Sequence, residues 1–138
     1  MAVVLDSDAV IGFLDRGDAL HAAAEAVVRE YAARGPLLAS VVTYAEVLTG
    51  ARLGYQEESL VEGFFADLIS TLLPVDEQVA DRAAQLRAES RSLRMPDALI
   101  LASADLEPEA DLLVSGDLAA AKVKGIACDV HSLVSRPL

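Results

Sequence analysis

Four acidic residues, Asp6, Glu46, Asp97 and Asp117, have the type and setting that metal-assisted phosphate chemistry requires. Asp6 ends the apolar run Val3-Val4-Leu5, and Asp117 closes Leu112-Leu113-Val114-Ser115-Gly116. Asp97 follows Pro96 at the mouth of an apolar, alanine-rich stretch. Glu46 lies amid Val42, Ala45, Val47 and Leu48, where an ionised carboxylate without a partner is costly and something cationic should face it. Two carboxylates about 4 Å apart repel by ~4 kcal/mol at an effective dielectric of about 20, so a group of four stays ionised at neutral pH only with cations inside it. Oxygen donors without histidine or cysteine favour Mg²⁺ or Mn²⁺ over zinc. Such ions can activate water and stabilise both oxygens of an in-line phosphoryl displacement.

Each acid also has a plainer role. Asp6, Asp8 and Asp117 are suited to capping helices, and Asp97 to a first helical turn where the macrodipole favours an anion. Glu46 could face solvent or pair with Arg52. Their joint placement is what points to a site, and whether Asp8 takes part stays open.

The elements that must position these acids alternate along the chain. Ala2 to Leu5 reads as a short buried strand, and Asp6-Ser7-Asp8 is a helix start. Helices follow over about 8 to 15 and about 18 to 34, the second closing on Arg34-Gly35-Pro36. Pro36 to Ala39 reads as a second strand. Ser40 caps a helix over about 41 to 53, stopped near Gly54, and another helix covers about 57 to 70. Thr71 to Val75 is a strand candidate, and Asp76 opens a charged helix to about Arg91. Pro96-Asp97 starts a helix to about Leu106, with proline in the first turn where its missing N–H costs least. Asp111 to Ser115 is a strand, Asp117 to Lys124 a short helix and Gly125 to Val130 an edge strand. This alternation predicts an α/β fold with a mostly parallel sheet, in which ligand sites form outside the carboxyl ends of the strands.

The 138 residues suit one domain spanning 1–138. A hydrophobic fraction of 54% with only 4% aromatics predicts a core of alanine, valine and leucine. Cys128 is the single cysteine, which excludes an intrachain disulfide and favours a reducing, cytoplasmic setting. Met1 to Leu14 has no basic leader, and the longest uncharged stretch, Gly35 to Ala45, falls well short of the ~18 apolar residues of a membrane span, so no membrane association is expected.

The net charge of −11, from 22 acidic against 11 basic residues, has the wrong sign for a protein that coats nucleic acid with lysine and arginine. Contact with a polyanion needs bound cations or a local basic rim. Arg91, Arg94, Lys122 and Lys124 flank two of the acids and are candidates to meet the phosphates of such a polyanion, with ordinary solvated surface as the alternative. Phe64, Phe65, Leu68 and Ile69 could offer an apolar face to a second copy or a partner helix, although core packing explains the same pattern. His21, His131 and Cys128 lack companions at zinc spacing. Neither a phosphate-binding glycine loop, a dinucleotide fingerprint nor a nucleophile elbow is present.

Taken in order, Val3-Val4-Leu5-Asp6-Ser7-Asp8, Ser40-Val41-Val42-Thr43-Tyr44-Ala45-Glu46-Val47, Pro96-Asp97-Ala98-Leu99-Ile100-Leu101-Ala102-Ser103-Ala104 and Leu112-Leu113-Val114-Ser115-Gly116-Asp117 resemble the motifs of PIN domains, over nearly the whole chain. The chain looks like the toxin of a VapBC toxin–antitoxin pair, a group of small prokaryotic ribonucleases. The resemblance implies a three-layer α/β/α fold with a central parallel sheet, and puts Asp6, Glu46, Asp97 and Asp117 on the family's metal-binding and catalytic positions. It further implies Mg²⁺ or Mn²⁺ as cofactor, RNA cleavage through metal-activated water, homodimerisation, and a cognate VapB-like antitoxin whose tail approaches the acidic pocket. Ser7 and Ser115 match supporting positions. Members often carry a further Asp or Asn two or three residues after the position of Asp117, but here Ala119 and Ala120 are found, which leaves a second metal open.

Two other readings compete. Asp6-x-Asp8 after an apolar strand, with Gly116-Asp117, also suits a phosphatase of the haloacid dehalogenase type, but that family needs a lysine ahead of its late acidic motif and none occurs before Lys122. The other is a noncatalytic domain whose acids bind an ion or an antitoxin without cleaving RNA.

Overall fold

The computed structural model describes residues 1–134. Among these residues five strands form one sheet: β1 (Ala2–Leu5), β2 (Leu37–Ser40), β3 (Ile69–Leu73), β4 (Ala110–Ser115) and β5 (Asp129–Ser132). Seven helices connect them: α1 (Ser7–Leu14), α2 (His21–Ala32), α3 (Val41–Arg52), α4 (Glu58–Asp67), α5 (Glu77–Glu89), α6 (Met95–Leu106) and α7 (Leu118–Ala121). The strand order is β3-β2-β1-β4-β5, and every pairing is parallel.

The period of two along the strands sorts their side chains between two cores. Val3, Leu5, Leu37, Ala39, Leu112 and Val114 face one side, where they pack with Val10 of α1, Val28 of α2, Val47 of α3 and Val61 and Phe64 of α4. Ala2, Val4, Leu38 and Leu113 face the other, against Val79, Ala83 and Leu86 of α5, Ile100 and Leu101 of α6 and Ala120 of α7. Helices on both faces of a parallel sheet make three layers, as expected of the α/β/α class. Phe64, Phe65 and Ile69 are buried, so core packing accounts for most of that apolar cluster, and Leu68 alone of the four is exposed.

Chain direction around β1 matters most for function. From β1 the chain builds outward through β2 to β3, then returns to place β4 on the opposite side of β1. The connections leaving β1 and β4 therefore diverge, and a crevice opens at their carboxyl ends. The Asp6 N–H donates to the Val114 carbonyl at 3.0 Å, tying the end of β1 to β4 at that point.

Helix starts follow the expected chemistry. Asp6, Ser40, Asp76 and Asp117 each cap a helix, accepting from the backbone N–H of Ala9, Val42, Val79 and Ala119 respectively. Several boundaries differ from the sequence expectation. The second helix starts at His21 because Asp15 and Asp18 form side-chain turns on the N–H groups of Gly17 and Leu20. The fourth helix stops at Asp67, and β3 begins at Ile69 instead of Thr71, since Ile69 pairs with Leu37 and buries its side chain. Beyond Ala121 the chain turns through Gly125, whose φ of +80° suits glycine, so β5 starts only at Asp129.

Leu101 is completely buried at the centre of the second core. Leu101→Ala should destabilise the protein by about 2–5 kcal/mol in urea unfolding. Leu106→Ala, at an exposed position near the end of the same helix, should stay within about 0.5 kcal/mol of the parent.

Candidate active site

The crevice between β1 and β4 collects the acids. Asp6 is 5% exposed and sits at the junction of β1 and α1. Its Oδ1 accepts from the Ala9 N–H at 2.8 Å and its Oδ2 from the Gly116 N–H at 3.0 Å, so one carboxyl caps α1 and holds the turn after β4. Both contacts favour the ionised form, as does the Ser115 hydroxyl, while Asp8 opposes it. Burial outweighs them and pushes the Asp6 carboxyl up to about 7.

Asp117 arrives from the other side of the crevice as the cap of α7, held by the Ser115 hydroxyl, which accepts from its N–H at 3.0 Å. Asp97, in the first turn of α6, lines with Asp6, Ser115, Ile100, Leu113 and Ala120 a small cavity of about 10 Å³, the size of one water. Its carboxyl is raised to about 6, first by burial and then by the charge of Asp117, with a further rise from side-chain hydrogen bonding to Asp117. Arg94 counters these effects by donating from Nε to Asp97 Oδ2 at 3.0 Å.

Glu46 projects from the middle of α3 and accepts from the Ser7 hydroxyl at 2.6 Å. It does not pair with Arg52, which faces Glu58 at 3.3 Å. Thr43, one helical turn before Glu46 and fully buried, lies 3.5 Å from the Ser7 oxygen and backs the same contact. The sequence reading missed Thr43, although its i, i+3 spacing from Glu46 was the available signal. Asp8, left open by the sequence, belongs to the same electrostatic group: burial raises its carboxyl first, followed by the charge of Asp117, with Glu46 adding to the rise and Arg94 opposing it.

Gly116 allows this approach. A Cβ there would stand 2.5 Å from the Cβ of Asp8 and 3.0 Å from Leu20 Cδ1, so a side chain would drive α1 away from β4. The structure thus links Asp6, Asp8, Glu46, Asp97 and Asp117 at one edge of the sheet, with Ser7 and Ser115 bonded to them. Of the basic candidates, only Arg94 reaches an acid; Arg91, Lys122 and Lys124 are exposed and form no ion pair among the described residues. A larger open cavity of about 1000 Å³, beside Glu77, Asp81, Arg82 and Leu106, lies on α5 and α6 away from these acids.

The donor set fits a hard divalent ion: it is all oxygen, partly buried and short of positive charge. No three His, Cys, Asp or Glu side chains among the described residues form a ready-made ion cage. Mg²⁺ does not require one, because it typically keeps several waters and takes only one or two carboxylates.

The fold is similar to solved structures of toxin–antitoxin proteins. A toxin–antitoxin complex from Klebsiella pneumoniae matches with a TM-score of 0.74 and 23% identity, covering 97% of this chain and 99% of that one. VapBC2 from Rickettsia felis, bound to a DNA fragment from its promoter, matches with a TM-score of 0.71 and 14% identity, over 96% and 98% of the two chains. VapC20 from Mycobacterium tuberculosis, a sarcin-ricin loop cleaving toxin, matches with a TM-score of 0.65 and 19% identity, over 87% and 95%. Comparison with curated protein sequences gives no match. The family model described as the PIN domain matches residues 3–126, nearly the whole length, and the chain therefore belongs to the PIN domain family.

Proposed function

We propose that this protein is a metal-dependent endoribonuclease acting as the toxin of a type II toxin–antitoxin pair. The observation that carries the reading is the gathering of Asp6, Glu46, Asp97 and Asp117, remote in sequence, at the crevice between β1 and β4. PIN domains are typically metal-dependent nucleases, and the similarity to VapC20 supports RNA as the substrate class.

In this reading Asp6 and Asp97 are the principal metal ligands, and Glu46 and Asp117 complete the acidic pocket. Mg²⁺ or Mn²⁺ held there would activate water and offset charge on the phosphate during in-line displacement. Ser7 fixes the Glu46 carboxylate, and Ser115 fixes Asp117 and the turn that carries Gly116. Arg91, Arg94, Lys122 and Lys124 form the basic rim that receives RNA phosphates. The similar structures of toxin–antitoxin complexes support a VapB-like partner for this chain. None of the helices among the described residues is long and apolar enough to cross a membrane. The phosphatase reading loses its support, because the chain belongs to the PIN domain family.

Asp6→Asn and Asp97→Asn should each lower Mg²⁺- or Mn²⁺-dependent cleavage of RNA by ~100-fold or more while the circular dichroism spectrum stays native. Full activity in either variant would defeat the proposal.

Gly116→Ala should cost about 1–3 kcal/mol through the crowding at Asp8 and reduce cleavage with it. Thermal unfolding and cleavage assays on the same preparation check this. An unaltered variant would mean that the approach of α1 to β4 is not needed.

The raised carboxyls set the direction of a pH effect. Their protonated forms stabilise the metal-free fold fully below about pH 4, and that contribution is lost as pH rises through about 6 for Asp97 and about 7 for Asp6. A divalent ion replaces the missing protons, so saturating Mg²⁺ or Mn²⁺ should raise the melting temperature more at pH 7.5 than at pH 5. Equal increments at both values would argue against ion binding at these acids.

A further inference from the structure

Among the described residues Arg94 is the one cation that pairs with the acids of the pocket, and its position is unusual for a residue meant only to meet substrate. Its side chain is 75% exposed, yet its Nε sits 3.0 Å from an Asp97 carboxylate whose side chain is only 12% exposed. The charges of Asp117, Glu46 and Asp8 also act on it. Arg94 is the residue preceding α6, and its side chain caps nothing, so no helix-capping contact is lost if it turns away. Asp97 is its single hydrogen-bond partner among the described residues.

Building on the metal-site reading above, we propose that Arg94 is an internal competitor for the divalent ion: it neutralises Asp97 in the metal-free protein and yields that position when the ion binds, which frees its guanidinium for a substrate phosphate. Two cations cannot share one carboxylate at close range without repulsion, and the group with the exposed, flexible stem is the one that moves. A displaced guanidinium at the mouth of the pocket meets phosphate oxygens in the bidentate geometry that arginine favours. Arg94 is in this sense a positioning and exchange residue. It lowers the repulsion among the acids when no ion is present and links ion binding to substrate capture. It also helps an acidic protein approach a polyanion at the one place where contact is needed.

The test uses Mn²⁺ alone, titrated calorimetrically into the wild-type protein, Arg94→Ala, Arg94→Lys and Asp97→Asn. Removing the competing charge should tighten Mn²⁺ binding by about threefold or more in Arg94→Ala, and the gain should shrink as KCl is raised. Arg94→Lys keeps the charge and should stay within about twofold of wild type. A structural defect would weaken binding, so tightening cannot come from partial misfolding. At saturating Mn²⁺, Arg94→Ala should raise the KM for RNA by about fivefold or more, with a smaller change in kcat. Unchanged or weaker Mn²⁺ binding in Arg94→Ala would overturn the proposal. Asp97→Asn separates the two failures: if it abolishes Mn²⁺ binding while Arg94→Ala does not tighten it, only the role of Arg94 falls. If Asp97→Asn binds Mn²⁺ like wild type, the metal-site reading falls as well, and the competition with it.

Discussion

The Asp6 carboxyl is the contact on which the rest of the site depends. It lies out of water at the point where the sheet changes direction, and it joins the start of α1 to the turn after β4 through the N–H groups of Ala9 and Gly116. Those bonds favour an anion, whereas burial and Asp8 favour a proton, and burial prevails. A group balanced in this way responds strongly to any added cation. The same carboxyl is also a helix cap, so the contribution to folding and the acidic pocket are inseparable at this residue.

Around Asp6 the protein holds Glu46 and Asp117 with neutral groups, whereas Asp97 meets the Arg94 guanidinium. Ser7 and Thr43 support Glu46, and Ser115 supports Asp117, all from buried positions. The Ser7 hydroxyl orients the Glu46 carboxylate without cancelling its charge, and Ser115 holds Asp117 by its backbone alone, which keeps the pocket negative. Positive side chains in the same places would lock each acid into an ion pair. The two apolar layers hold the strand ends firmly enough for this repulsion to be tolerated, with Val3, Leu5 and Val114 on one side and Val4 and Leu113 on the other. Stability given up at such a cluster is the usual accompaniment of a functional site.

The strong negative charge of the chain and its proposed work on RNA are compatible because the two act on different scales. Screening over about 8–10 Å at moderate salt confines most surface charges to their neighbourhood. In the proposed reading, what a phosphate would meet at the crevice is set by Arg94, the basic rim and a bound cation, more than by the sum over the molecule. The exposed positions of Arg91, Lys122 and Lys124 suit such a rim, and of these four basic residues Arg94 alone is engaged with the acids.

The sequence by itself determined the α/β class, the parallel sheet, the capping roles of Asp6, Ser40, Asp76 and Asp117, and the segments carrying the four acids. These features depend on local rules: apolar runs of strand length, polar residues at helix starts, and strict alternation of element types. Element boundaries were less legible at Ile69 and beyond Ala121, where pairing with Leu37 and a turn at Gly125 overrode the local pattern. Only the tertiary structure decided that Asp8 joins the acidic group, that Thr43 backs Ser7, that Gly116 is needed for α1 to approach β4, and that Arg94 rests on Asp97. Each of these is a contact made through space or an orientation set by packing. Side chains with several accessible rotamers acquire a direction only when the neighbouring elements have closed around them.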